Sequence, residues 1–222
     1  MQPTVIDQLT DQLQVFLAPS VGRTRLIGLT GSVASGKSTL AETLRARLSE
    51  ALQESVNVVG TDGFLFADET LRERGLLAEK GFPRSHDDAK IARFCEQLES
   101  PAHQISVPIY NHEKMAVDST VHIELPSVII VEGVIALSVL ARVREVKRCG
   151  LYLDADREDL LRWYSERVAR LGRSLELGVR VWHAVNLPNL TLHIEAQRAR
   201  ADIVLWKRRD HSLSLSRPQV VR

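Results

Sequence analysis

The sequence predicts an α/β fold with a mainly parallel central sheet between two layers of helices, and three observations carry that prediction. Short apolar runs alternate with helix-patterned segments along most of the 222 residues. One such junction, from Arg25 to Leu52, reads as strand, glycine-rich turn and helix. The turn itself, Gly31-Ser32-Val33-Ala34-Ser35-Gly36-Lys37-Ser38, fits the phosphate-binding pattern G-x-x-x-x-G-K-[ST] at every fixed position.

The elements follow in order. A helix is expected over 4–17, where Thr4 and Asp7 can form a capping box and Val5, Ile6, Leu9, Leu13, Phe16 and Leu17 line one face that would pack on the domain. Pro19, Gly22 and the polar residues between them end it. The apolar run at 25–30 reads as a buried strand. Leu40, Leu44, Leu48 and Leu52, four residues apart, predict a helix over 37–53. Further strands are expected at 56–61, 127–131, 149–154 and 202–206, and further helices at 87–98, 156–171 and 175–199, the last broken near Pro188. The basic, Ser-rich tail from Lys207 to Arg222 is expected to be a strand end followed by a mobile terminus. With no repeat and no low-complexity linker, residues 1–222 read as one domain, comprising an N-terminal helix within 1–20, lid and C-terminal helices over 156–199, and the tail at 207–222.

Bulk properties exclude several classes. An apolar fraction of 44% with 26% charged residues is that of a globular chain rather than a disordered one. A net charge of +1 gives no sequence-wide case for a nucleic-acid partner. No run approaches the roughly 18 apolar residues of a membrane span, and the N-terminus lacks the basic start of a secretory signal. Cys95 and Cys149 form no C-x-x-C pair, so both read as small buried apolar residues of a protein in the reducing cytoplasm.

In parallel sheets, ligands bind beyond the C-terminal ends of the strands, so the residues following each expected strand form a candidate site. After 25–30 comes the loop, whose backbone N–H groups, from Gly31 through Ser38 and on to Thr39 at the helix start, would cradle phosphates. Lys37 would reach the β- and γ-phosphates, and Ser38 would hold Mg²⁺. After 56–61 comes Asp62, a candidate catalytic carboxylate, and after 127–131 comes Glu132, a candidate metal-associated carboxylate. Asp154, followed at once by a helix, reads as its cap.

The strings Thr61-Asp62-Gly63-Phe64-Leu65, Leu71-Arg72-Glu73-Arg74-Gly75-Leu76, Lys80-Gly81-Phe82-Pro83, Pro108-Ile109-Tyr110-Asn111-His112 and Val131-Glu132-Gly133 closely resemble the type I (bacterial) pantothenate kinases. That family sits in a wider group of P-loop kinases, with uridine kinase and phosphoribulokinase, that phosphorylate a small-molecule hydroxyl. The resemblance covers about Ile27 to Val134. It implies a kinase-type P-loop NTPase fold of three α/β/α layers with a helical lid, and ATP and Mg²⁺ as cofactors. It also implies Asp62 as the base, Tyr110 and His112 against the substrate, and a homodimer in the cytoplasm. Phe64 is taken as a further substrate contact.

The C-terminal half departs from the pantothenate pattern. Arg162-Trp163-Tyr164-Ser165-Glu166-Arg167 resembles the lid string of those kinases, but Gly172-Arg173-Ser174-Leu175 and Arg200-Ala201-Asp202-Ile203-Val204 look more like the shorter lid and last strand of uridine kinases. Arg167, Arg170 and Arg173 fall three apart and are expected on one side of the lid helix. There, Arg167 and Arg173 would stabilise charge on the transferring group and Arg167 would also touch the substrate. Glu42 stands where pantothenate kinases carry a basic residue that helps bind coenzyme A, which argues against that feedback. The expected activity is phosphorylation of a small metabolite's hydroxyl. Pantothenate leads, a nucleoside such as uridine or a sugar is the alternative, and a non-catalytic nucleotide-binding regulator stands outside both.

Overall fold

A computed structural model describes residues 3–18, 24–100, 103–111 and 113–216. The chain begins with helix α1 (Val5–Phe16), where the Thr4 hydroxyl accepts from the Asp7 N–H and the Asp7 carboxylate accepts from the Thr4 N–H, the expected capping box. Pro19 and Gly22, expected to end this helix, lie outside the described residues. Strand β1 (Arg25–Gly31) and helix α2 (Lys37–Leu52) follow, then β2 (Val56–Gly60), the short helix α3 (Asp68–Glu73) and α4 (Asp88–Glu99). Strands β3 (Gln104–Asn111) and β4 (Ala116–Glu124) precede β5 (Val128–Glu132), the short α5 (Ala136–Leu140), β6 (Arg148–Ala155) and α6 (Arg157–Arg170). Helix α7 (Leu175–Val181) opens a continuous helical run, in which the single turn α8 (Leu187–Asn189) lies between two wider π turns, and β7 (Ile203–Lys207) and β8 (Leu213–Ser216) close the described chain.

Among the described residues the main sheet has the strand order β2-β5-β1-β6-β7-β8, parallel throughout except for the last pair. Successive residues of a strand face opposite sides, and the core divides accordingly. Leu26, Ile129, Val131, Tyr152 and Val204 pack with α4, α5, Leu160 and Trp182. Ile27, Leu29, Ile130, Leu151, Leu153 and Leu205 pack with α1 and α2. This is the expected three-layer arrangement, and α1 lies on the domain through Leu9, Leu13 and Leu17, all fully buried. Both cysteines are buried and free, and burial raises their thiols, to about 11 for Cys95 and about 12 for Cys149.

Four features differ from the sequence reading. The β3–β4 hairpin, a separate two-stranded sheet, was not expected; no residue of its second strand is buried, so no continuous apolar run marks it. Residues 208–216 of the tail turn back and pair β8 against β7. The strand ending in Ala155 runs one residue past Asp154, so the residue preceding α6 is Asp156 and Asp154 caps nothing. Instead its Oδ2 lies 3.0 Å from Arg198 Nε. Finally, the 175–200 run is not broken at Pro188; the proline sits at the start of α8, and the flanking π turns accommodate its missing N–H.

Leu13→Ala is expected to cost about 3 kcal/mol of stability, the usual scale for a large-to-small change at a fully buried site, measured by chemical denaturation. Because α1 lies on the face away from the β3–β4 hairpin, ligand affinity should stay within about twofold, a shift of less than ~0.5 kcal/mol.

Candidate active site

The loop between β1 and α2 is shaped by close contacts. At Gly31 (φ 151°) a Cβ would stand 2.4 Å from the Leu153 carbonyl oxygen, so only glycine lets β1 run this close to β6 as the chain turns. Ala34 is left-handed (φ 63°), an uncommon state for a residue with a side chain and a sign of a loop held by its surroundings. Gly36, at φ 94°, starts α2. The Ser32 carbonyl oxygen accepts from the Ser35 hydroxyl at 2.8 Å and from Lys37 Nζ at 2.7 Å. The Ser32 hydroxyl is buried without a partner among the described residues. Val33 is half-buried, and Ser38 and Thr39 are exposed at the helix start.

Lys37 is the electrostatic centre. Burial pushes its ammonium well below the usual lysine range, and the Arg167 charge acts the same way. The carboxylates of Glu132 and Asp62 oppose that shift. Three residues from three different elements are therefore within reach of one buried cation. Glu132, at the end of β5, also accepts a 3.0 Å hydrogen bond from the Ser38 hydroxyl.

Asp62 lies in a single 3₁₀ turn, Thr61–Phe64, directly after β2. A Cβ on Gly63 would fall 2.3 Å from the Pro108 carbonyl oxygen, so glycine allows this turn to press against β3. That contact brings Asp62 near Tyr110. Burial raises the Tyr110 phenol above its usual range, a hydrogen bond and charge from Lys80 counter the rise, and Asp62 and Asp68 add to it. Asp62 thus acts on both the loop lysine and the hairpin tyrosine.

The structure corrects Phe64. Its ring is 1% exposed and packs on Phe94 at 5.3 Å between centroids, so it belongs to the core and not to a substrate wall. His112 lies outside the described residues. The three arginines are not on one helix face: α6 ends at Arg170, and Arg173 follows a left-handed turn at Gly172. Arg167, on the helix, is the one whose charge reaches Lys37. Among the described residues no ion pair holds Arg167, Arg170 or Arg173; Glu166 pairs with Arg162 instead, at 2.9 Å.

Two lysines were missed. Lys80, in the Lys80-Gly81-Phe82-Pro83 string, donates to Asp68 Oδ1 at 2.5 Å and to the Met115 carbonyl at 2.5 Å, besides its bond to Tyr110. It ties α3, the hairpin end and the tyrosine together, a role that no local spacing announces. Lys207, at the end of β7, reaches the Ser35 carbonyl at 2.9 Å. It is the first residue past the expected strand 202–206, so the strand-end rule that found Asp62 and Glu132 also points to it.

The comparisons with known proteins agree with this layout. A model of the phosphoribulokinase/uridine kinase family matches residues 26–214. A curated pantothenate kinase of Sorangium cellulosum is 35% identical, over 93% of this chain and 76% of that protein. The crystal structure of a candidate fructose transport system kinase from Silicibacter sp. TM1040 superposes with a TM-score of 0.74 at 26% identity, covering 87% of this chain and 95% of that one. A candidate uridine kinase from Bacillus stearothermophilus shares the fold (TM-score 0.65, 21% identity, 90% of this chain and 96% of that one).

Lys80→Met removes the cation that steadies the Tyr110 phenolate, so Tyr110 should titrate at still higher pH in an absorbance titration. Amide exchange over 113–118 should quicken by about tenfold, the scale of one lost charge-assisted hydrogen bond. A Tyr110 titration that stays in place would remove Lys80 from this role.

Proposed function

Because the chain belongs to the phosphoribulokinase/uridine kinase family, we propose that the hydroxyl it phosphorylates is one of pantothenate, with the residues above as its machinery. The broader activity rests on the family itself: the chain is an ATP-dependent kinase of a small-molecule alcohol. The acceptor reading is supported by the likeness to pantothenate kinases and by the Lys80–Tyr110 wall beside Asp62. The mechanism is supported by the place of Asp62 in the turn that follows β2 and presses on Pro108 of β3, from which its charge is felt by both Lys37 and Tyr110.

The residues present fit a nucleotide triphosphate with a hard cation. The unpartnered Ser32 hydroxyl and the buried Lys37 ammonium suit phosphate oxygens. Ser38 and Glu132 offer oxygen ligands 3.0 Å apart, the donor type Mg²⁺ prefers. When bound, Mg²⁺ would neutralise charge on the β- and γ-phosphate oxygens. In this mechanism the loop amides from Gly31 to Thr39 and Lys37 hold the phosphates in line. Asp62 orients the acceptor hydroxyl and takes its proton as that oxygen bonds to the γ-phosphorus and the bond to ADP breaks. Arg167 stabilises charge spreading over the transferring group, joined by Arg173 when the lid segment closes. The same reading takes the protein as a cytoplasmic homodimer acting on a small molecule, without nucleic-acid or membrane partners. Among the described residues no helix is long and apolar enough to cross a membrane.

One observation bears on the alternatives. With Phe64 and Phe82 buried, fewer aromatic side chains remain to stack a nucleoside base, which leaves a sugar as the stronger rival.

An ADP-release assay with pantothenate, pantetheine, uridine, cytidine, glycerate and several sugars tests the reading. Pantothenate should give the highest kcat/KM, and a higher value for a sugar would replace it. ADP release indifferent to every added alcohol would favour a nucleotide-driven regulator. Asp62→Asn should lower turnover by roughly a hundredfold or more while ATP affinity, by calorimetry, stays nearly unchanged. Near-full turnover in that variant would remove Asp62 as base.

A further inference from the structure

We propose that Lys207 is a positioning residue for the phosphate loop, acting through the Ser35–Gly36 peptide and fixing that loop relative to the lid helix. This rests on the phosphate-loop reading given above. Lys207 is the last residue of β7, paired with Ala155 of β6 at the ligand end of the sheet. Its Nζ donates to the Ser35 carbonyl oxygen at 2.9 Å. The same nitrogen lies 4.2 Å from the centroid of the Trp163 ring, a cation–π distance. It also stands 2.9 Å from where a Cβ on residue 36 would be, so the lysine occupies space that Gly36 leaves open.

A trans peptide is planar, and its C=O and following N–H point in opposite directions. Fixing the Ser35 oxygen therefore fixes the aim of the Gly36 N–H, one of the amides offered to a phosphate. The second attachment adds the lid. Trp163 is buried on α6, and its ring also stacks with His211 of the β7–β8 turn at 5.1 Å between centroids. Arg167 lies four residues further along α6, on the same face as Trp163. One ammonium thus joins the loop that grips phosphate to the helix that carries the arginine reaching Lys37. Burial lowers the Lys207 ammonium from the usual lysine range.

The test measures Mg²⁺-dependent binding of ATP and of inorganic tripolyphosphate by calorimetry, in the unaltered chain, Lys207→Met and Lys207→Arg, beside thermal melting of each. Lys207→Met should weaken both ligands by the same factor, about tenfold, the scale of one charge-assisted hydrogen bond. Lys207→Arg, which keeps charge and donors, should recover most of the loss. Three outcomes overturn the proposal: unchanged affinity in Lys207→Met, a lowered melting temperature with affinity intact, or a loss confined to ATP, which would mean contact with the base. If Lys207→Met does not fold, a folded Lys207→Arg that binds both ligands about tenfold more weakly than the unaltered chain would overturn it too. Absence of binding to the unaltered chain would instead overturn the phosphate-loop reading itself.

Discussion

The site is organised around one buried cation. Lys37 opens α2 with its side chain turned back under the loop, its ammonium held by the Ser32 carbonyl and shut away from water. An ammonium there is costly unless carboxylates face it, and the fold supplies two, Glu132 and Asp62, from the ends of separate strands. On the proposed reading, a buried positive centre under a polar loop suits a polyanion, and the neighbouring acids suit the metal and the proton that accompany phosphoryl transfer.

Strand order turns this requirement into distance. In the order β2-β5-β1-β6-β7, the loop sits on the middle strand, with Glu132 on the adjacent strand and Asp62 just past the strand beyond. Two strand spacings are about 9.6 Å, a separation that the proposed function uses to seat an alcohol between a terminal phosphate and the Asp62 carboxylate. The same count in the other direction reaches β7 and Lys207, whose long side chain spans the gap back to the loop. A parallel sheet with its switch point beside β1 therefore brings carboxylates from one side and a cationic clamp on the loop carbonyl from the other, with no long loop required.

Much of this was legible in the sequence, for a physical reason. Strands buried on both faces must be apolar throughout, so β1, β5 and β6 stand out as runs, and the chemistry at their ends can be found by position alone. Where burial did not dictate sequence, the reading failed. Strand β4 has no buried residue and mostly faces water, and β8 is a short Leu-Ser alternation within a basic tail. Phe64 misled because adjacency to Asp62 suggests a shared pocket, whereas in a 3₁₀ turn residues two apart point in different directions, and here one faces the site while the other enters the core. Asp154 misled because strand and cap differ by one residue, and its partner Arg198 is forty-four positions away along the chain. Lys80 needed tertiary contacts to be seen at all.

What distinguishes this chain among P-loop kinases must then lie off the strand ends, where the acceptor loop meets the C-terminal helical run. Asn189 donates to the Gly81 carbonyl at 2.8 Å, and the Phe82 ring meets His193 edge-on at 5.4 Å. Those contacts come from the residue just before a π turn and from within it, in a segment whose widened winding shifts side chains out of ordinary helical phase. Lys80, adjacent to Gly81, passes the same restraint to Tyr110 and to the hairpin. The wall facing Asp62 is thus set by three regions that are remote in sequence and lean on one another, while the phosphate loop is held separately, by its own turns and by Lys207 from the end of β7. Acceptor choice can change by altering that wall without disturbing the grip, which is how a family with one phosphate loop can serve many alcohols.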